Sequence, residues 1–392
     1  MALRLLWHPN QWIEGPEKEQ FKQLLGSKFS GEATLFASGR CALLAILRSL
    51  RLSPGEEVIV QGYTCVVVPN AIAAAGMKPV FVDIERDTLN LDIEETANAI
   101  TPKTRAIICQ HTFGIPADTK GLRALCDRHS LILIEDCAHV IPDSGGPSEI
   151  GRHGDLLFFS FGRDKAISGV SGGAVVCKKA DLRTPLRTLE KQATPLGRVN
   201  IMQYLFYPLL YALARPLYGI GIGKILLALA GKIHLLPKIL TQSEKKGIMP
   251  PTLCGMPNAC AALALAQLQS LRDINDHRRM LTSYYATHPL LRAYAVRSSL
   301  SLPSLPLQKF PLFLPQAEKI RKKLKQRNIH LHDGWTGCVI CPANADTSAA
   351  GYCDDDDPSA EMVGEQILSL PTHPGMTLHD AQRLVDALHT SL

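Results

Sequence analysis

Aromatic residues are scarce here, 6% of 392 residues, and nowhere do they interleave with bases in the strip on which single-stranded nucleic acid stacks. The net charge is only +6, a modest excess for this length, so nothing calls for a nucleic-acid polymer as partner. The longest uncharged stretch of the most apolar region, 199–214, is too short and too interrupted for a spanning helix. The opening MALRLLWHPNQW has no long apolar core of the secretory kind, so no signal peptide is expected. A disulfide framework is also missing: the 11 cysteines are odd in number and scattered through apolar runs, as befits reduced thiols in a cytosolic protein. Cys338 and Cys341 form one CVIC pair with His330, His332 and Cys353 nearby. No second pair stands at zinc-ribbon spacing, so no metal site is expected.

What is present is a folded chain, 46% hydrophobic and 20% charged, long enough for two domains. Short apolar runs alternate with helical patterns between about 30 and 180. The predicted strands are 34–37, 57–61, 79–82, 105–110, 131–134, 156–160 and 173–177, with helices at 41–50, 92–100 and 118–129 among them. This alternation implies an α/β fold built on a doubly wound, mostly parallel sheet. Ligands of such sheets bind beyond the carboxyl ends of the strands, where Ser38, His111, Asp136 and Ser160 are expected. A small-residue helix at 256–271 then leads into a smaller C-terminal α/β domain. The expected division is 1–255 for the large domain and 256–392 for the connecting helix and small domain. Amphipathic helices are expected at 312–327 and 378–388, and the acidic run 354–357 reads as a solvated turn.

The most informative residue is Lys165, in SFGRDKAISGVSGG at 160–173. It follows one apolar strand and precedes a glycine pair and another. Asp136 ends the upstream strand in LILIEDCAH. Pyridoxal phosphate (PLP) chemistry needs this pair: a lysine amine for the Schiff base, and a carboxylate that keeps the pyridinium nitrogen protonated. The alternative for Lys165 is a solvated loop charge, and for Asp136 a helix N-cap. Ser38, Gly39 and Arg40 open a helix whose N-terminus would suit the cofactor phosphate, with Ser160 adding a hydroxyl; Ser-Gly is equally an ordinary cap. Arg40 either faces the phosphate or lies on the helix surface. Thr64 and Tyr63 sit at another strand-to-helix junction within reach of cofactor or substrate, and His111 is as readily structural as functional.

Residues 192–243 differ in composition: strongly apolar, with Arg198, Arg215, Lys224, Lys232 and Lys238 and no acid before Glu244. Such a segment either lies at a membrane interface, through about 199–240, or forms a core or dimer contact.

Taken in order, SGRCALLAIL (38–47), SPGEEVIV (53–60), TCVVVPNAI (64–72), KPVFVDIERDTLNLD (78–92), HTFGIPAD (111–118), EDCAH (135–139), the Lys165 segment, AALALAQL (261–268) and ILSLPTHPGMT (367–377) resemble the DegT/DnrJ/StrS-type sugar aminotransferases, PLP enzymes of fold type I. The 29-residue spacing of Asp136 and Lys165 and the position of Ser160 match that family. The resemblance implies a homodimer, an amino donor such as glutamate, and a keto-sugar acceptor linked to a nucleotide. It implies that His139 hydrogen-bonds the cofactor's phenolic oxygen; the alternative is a satisfied core histidine. Two family features are replaced: Cys65 stands where an aromatic stacks on the ring, and Leu253 and Gly255 stand in place of an asparagine and an arginine. The 192–243 segment is also longer than the family's. Retention of Lys165 argues against the dehydratase branch, in which a histidine takes its place. A non-catalytic PLP-binding regulator or membrane scaffold is the alternative from another class.

Overall fold

The computed structural model describes residues 1–143, 149–233, 235–238, 240–302, 305–331 and 334–392. All seven predicted strands form: β1 (Glu32–Phe36), β2 (Glu57–Gln61), β3 (Lys78–Val82), β4 (Thr104–Gln110), β5 (Ile132–Asp136), β6 (Leu156–Ser160) and β7 (Gly173–Cys177). The architecture is the expected mixed α/β fold with a large, mostly parallel sheet. Its helices include α1 (Ala2–Leu6), α2 (Gly39–Ser49), α3 (Arg198–Ala214), α4 (Ile222–Lys232) and α5 (Asn258–Gln269). The chain forms two compact units.

The first unit comprises Met1–Leu50, Phe158–Thr241 and Pro251–Ser270. Here β1 runs antiparallel to β7, with Phe36 opposite Gly173, and the end of β6 lies beside β7. Helix α2 buries Leu43, Leu44, Ile46 and Leu47 completely or nearly so. Each such side chain contributes on the order of 1.5–3 kcal/mol. Its entry is tight: a Cβ on Gly173 would lie 2.3 Å from the Ser38 carbonyl oxygen and 2.6 Å from the Gly39 nitrogen. Only glycine permits that approach. The small residues of α5 let α1 and α3 close over it, joining Ala2, Leu5, Trp12, Ile201, Leu205, Ala259 and Ala262 in one cluster. The segment 192–243 contributes the helical hairpin α3–α4. Gly223 is its pivot, since a Cβ there would meet the Ala214 carbonyl oxygen at 2.1 Å. Among the described residues, no helix is long and apolar enough to cross a membrane.

The second unit comprises Arg51–Leu157, Gln242–Pro250 and Leu271–Leu392. Its strands pair in the order β5-β4-β2-β3, all parallel, with Gln110 opposite Asp136 and Val60 opposite both Ile108 and Phe81. Every residue of β2 is buried, as expected of a parallel strand covered on both faces. The expected helix 312–327 begins later than its pattern implied. Lys309–Phe313 is a strand, antiparallel to Ile367–Pro371, and the helix occupies Ala317–Gln326. Pro315 holds Leu314 away from helical geometry, and the alternating Phe310, Leu312 and Leu314 all enter the core. The acidic run also departs from expectation at its last member. Asp354, Asp355 and Asp356 are exposed, but Asp357 is only 3% exposed.

Burial and the nearby Asp83 and Asp356 carboxylates push Asp357 up to about 7. Its Oδ2 atom has no hydrogen-bond partner among the described residues. A carboxyl whose folded value exceeds its unfolded value of about 3.9 is destabilising once charged, so its contribution to stability declines as pH rises from about 4 to about 7. Asp357→Asn is therefore expected to be more stable than the parent at pH 8 and to lose that advantage below pH ~4, as read from urea midpoints across the pH range. Gly173→Ala is expected to cost about 1–3 kcal/mol by overpacking, seen as a lowered melting temperature.

Candidate active site

In the first unit, Ser38 is the N-cap of α2, and its hydroxyl accepts the Cys41 N–H at 3.3 Å. Gly39 and Arg40 are the first two helical residues. A Cβ on Gly39 would fall 2.7 Å from the Ser160 Cβ and 3.0 Å from its Oγ. The last residue of β6 and the start of α2 are thus brought together, putting a hydroxyl beside a helix N-terminus. Five residues on, Lys165 is half-buried in the turn joining β6 to β7. The turn is closed at its neck by Phe161 N–H to Gly172 O (2.8 Å) and Gly169 N–H to Phe161 O (2.9 Å). Ser168 N–H donates to Gln267 on α5 at 2.8 Å, and the Ser171 hydroxyl donates to Ala37 O at 2.7 Å. Val170 holds a φ of 67°, a strained value for a β-branched residue, and the Ser168 hydroxyl accepts its N–H at 3.0 Å.

Two residues before the lysine, Arg163 donates to the Pro237 carbonyl at 2.9 Å and lies 4.6 Å over the Tyr207 ring. Tyr204, also on α3, is hydrogen-bonded to Ser171; burial raises its phenol, opposed by that bond and by the Arg40 charge. Sequence reasoning missed both tyrosines. Their helix reads as uniformly apolar, and only the folded chain lays it on the lysine turn.

In the second unit, Asp136 ends β5, buried, with Oδ1 accepting the Ala138 N–H at 2.9 Å. His139 is buried too. Its Nδ1 accepts the Phe113 N–H at 3.1 Å, which leaves the proton of a neutral ring on Nε2 as a donor. Phe113 stacks parallel to it, at 6.0 Å, and Trp335 meets it edge-on, at 5.2 Å. Trp335 carried no sequence signal. Thr64 is buried and donates its hydroxyl to Gln110 Oε1 at 2.9 Å. Tyr63 is fully buried with its hydroxyl on the Trp335 carbonyl, so it belongs to the core. Cys65 is partly exposed and lies opposite Cys341 in a short parallel pairing.

His111 is built into the sheet edge: Nε2 bonds Glu135 at 3.1 Å and Nδ1 accepts the Ala117 N–H at 3.2 Å. Burial works against the Glu135 carboxylate, but His111 and the N–H groups of Gly151 and Gly154 outweigh it and hold it below the ordinary carboxylate range. His111, Glu135 and Cys137 are close enough to share a metal ion, yet both His111 nitrogens are already committed to protein partners. Cys338 and Cys341 approach to 3.5 Å between sulfurs, whereas His332 lies outside the described residues.

The α/β fold with its large, mostly parallel sheet is that of solved aminotransferases. DesV of S. venezuelae, in complex with a ketimine intermediate, is 25% identical with TM-score 0.71 over 99% of this chain and 92% of its own. DesI, solved in the presence of its TDP-sugar product, is 23% identical with TM-score 0.73 over 99% and 88%. PseC of Helicobacter pylori, an aminotransferase in pseudoaminic acid biosynthesis, is 19% identical with TM-score 0.74 over 100% and 95%. Residues 2–204 and 241–389 match the profile of the DegT/DnrJ/EryC1/StrS aminotransferase family, and the chain belongs to that family of PLP-dependent enzymes. The match leaves out 205–240, which holds the end of α3 and all of α4.

Glu135→Ala would strip His111 and three backbone N–H groups of their acceptor. The expected cost is about 3 kcal/mol or more, measured by urea denaturation at pH 7. Because its folded value is depressed, the stabilisation Glu135 provides is full above about pH 5 and lost as pH falls through that depressed value. The variant's stability should therefore fall less steeply than the parent's on acidification.

Proposed function

We propose that this protein moves an amino group from an amino acid, glutamate on family grounds, to a keto-sugar linked to a nucleotide, in amino-sugar and surface-glycan synthesis. The observation that carries the reading is the family match together with a lysine and an aspartate kept at 165 and 136. The TDP-sugar product of DesI is what favours a nucleotide-linked acceptor. A homodimer and a cytoplasmic location belong to the same proposal. So does a functional division of the chain into a cofactor-binding part, 1–255, and a smaller part, 256–392.

The donors and acceptors present fit PLP. When bound, the cofactor supplies an aldehyde that captures amines and a ring that withdraws electrons from the carbon losing its proton. Lys165 would hold the aldehyde carbon through its Nζ. Once displaced by substrate, the same amine would carry the proton between the substrate carbon and C4′ of the cofactor. Asp136, buried at its strand end, would accept the pyridinium N–H and keep the ring cationic. The Nε2–H of His139, set by the Phe113 bond, would donate to the phenolic oxygen. Ser38, Gly39 and Ser160, drawn together at the start of α2, would take the phosphate, with Arg40 beside them. Thr64, its hydroxyl proton given to Gln110, would offer the cofactor an oxygen acceptor only.

Borohydride reduction of cofactor-saturated protein, followed by peptide mapping, is expected to place the label on Lys165. A label elsewhere, or none, ends this reading. With Lys165 labelled, a visible absorbance that bleaches on glutamate supports transamination; one indifferent to every amino donor supports the non-catalytic binder. Asp136→Asn is expected to retain the label and lose at least about a hundredfold in kcat.

A further inference from the structure

The hairpin α3–α4 has one side committed to the first unit and another left to solvent. Ile201 and Leu205 enter the core, and Tyr204 and Tyr207 reach the lysine turn. Along α4, Ile222, Ile225, Leu229 and the C-capping Ile233 recur at helical spacing in one stripe. Ile225, Leu229 and Ile233 are 63%, 53% and 70% exposed. Ile220, ahead of the helix, and Leu213 near the end of α3 are exposed as well. Helix α1, packed on α3, ends beside Trp7, which is 78% exposed. The same segment carries Arg198, Arg215, Lys232 and Lys238, all exposed, and half-buried Lys224. The chain carries no acid between Lys191 and Glu244.

We propose that α4 and the flanking turns form a docking surface for an anionic lipid bilayer, entering the headgroup region in the plane of the membrane. An isoleucine stripe amid bases suits that interface: the apolar side chains insert shallowly while the cations meet lipid phosphates. The same charge pattern disfavours a second copy of this chain as the occupant. A two-fold contact on the stripe would set bases against the same bases, with no acid in the segment to offset them. The hairpin is too short to span, so binding would be peripheral and reversible. Since 205–240 lies outside the family match, docking would be an added property of this chain, separate from its transaminase reading.

The test is cosedimentation of the full-length holoenzyme with vesicles of phosphatidylcholine, with and without phosphatidylglycerol. Binding is expected only with the anionic lipid and should weaken as salt rises. Lys232→Gln and Lys238→Gln should each lower affinity about fivefold. Ile225→Ser with Leu229→Ser should abolish binding while far-UV circular dichroism and cofactor absorbance stay unchanged, since both side chains point to solvent. The proposal is overturned by no binding to anionic vesicles, by equal binding to neutral ones, or by binding that these substitutions leave intact. A fall in oligomer mass in the Ile225→Ser, Leu229→Ser variant, with no vesicle binding by the parent, would assign the stripe to self-association instead.

Discussion

The backbone contact between Ser38–Gly39 and Gly173 sets how the start of α2 meets β6 and β7. Without side chains at 39 and 173, the start of α2 can lie against both the end of β6 and the beginning of β7. That contact draws Ser38 and Ser160 together and places the lysine turn directly beyond them. The turn is then closed by its own backbone, by Ser171 on Ala37 and by Gln267 on α5. Lys165 is therefore presented by a short, many-sided closure rather than by a free loop, and Val170 bears the strain of it.

The second unit uses neighbouring acids for opposite ends. Successive strand residues face opposite ways. Glu135 turns into the interior, where His111 and backbone N–H groups satisfy it, and Asp136 turns the other way to cap the strand end. The first is an anchor that stabilises the edge of the sheet. The second is the acid proposed to meet the cofactor's ring nitrogen. The two histidines are held differently: His111 bonds Glu135 through Nε2 and the Ala117 N–H through Nδ1, while His139 accepts the Phe113 N–H at Nδ1.

The hairpin α3–α4 joins two behaviours in one short segment. Its inner residues hold Arg163 and Ser171, close in sequence to Lys165, and its outer residues form an apolar, basic stripe. Tyr207 and Pro237, both beyond the family's match, are thus tied to Arg163, two residues before Lys165, by a cation–π contact and a hydrogen bond.

Much was legible in the linear chain. The seven strands were marked by short apolar runs, and the architecture followed from their alternation with helical patterns. Lys165 and Asp136 stood out because their spacing and flanks are unusual for solvated charges. Local pattern misled where tertiary contacts overrode it: at 309–313, where a sheet partner and Pro315 impose a strand, and at Asp357, which its neighbours bury although three exposed aspartates precede it. The roles of Tyr204, Tyr207 and Trp335 had no sequence signal, because an aromatic in an apolar run looks the same whether it fills a core or covers a turn. Composition and order alone thus determined the class of fold and singled out Asp136 at a strand end and Lys165 in the turn beyond another. Which tautomer His139 adopts, which acid is an anchor and which side of α4 meets water were decided only by folding, because hydrogen-bond partners and burial are properties of residues distant in the chain.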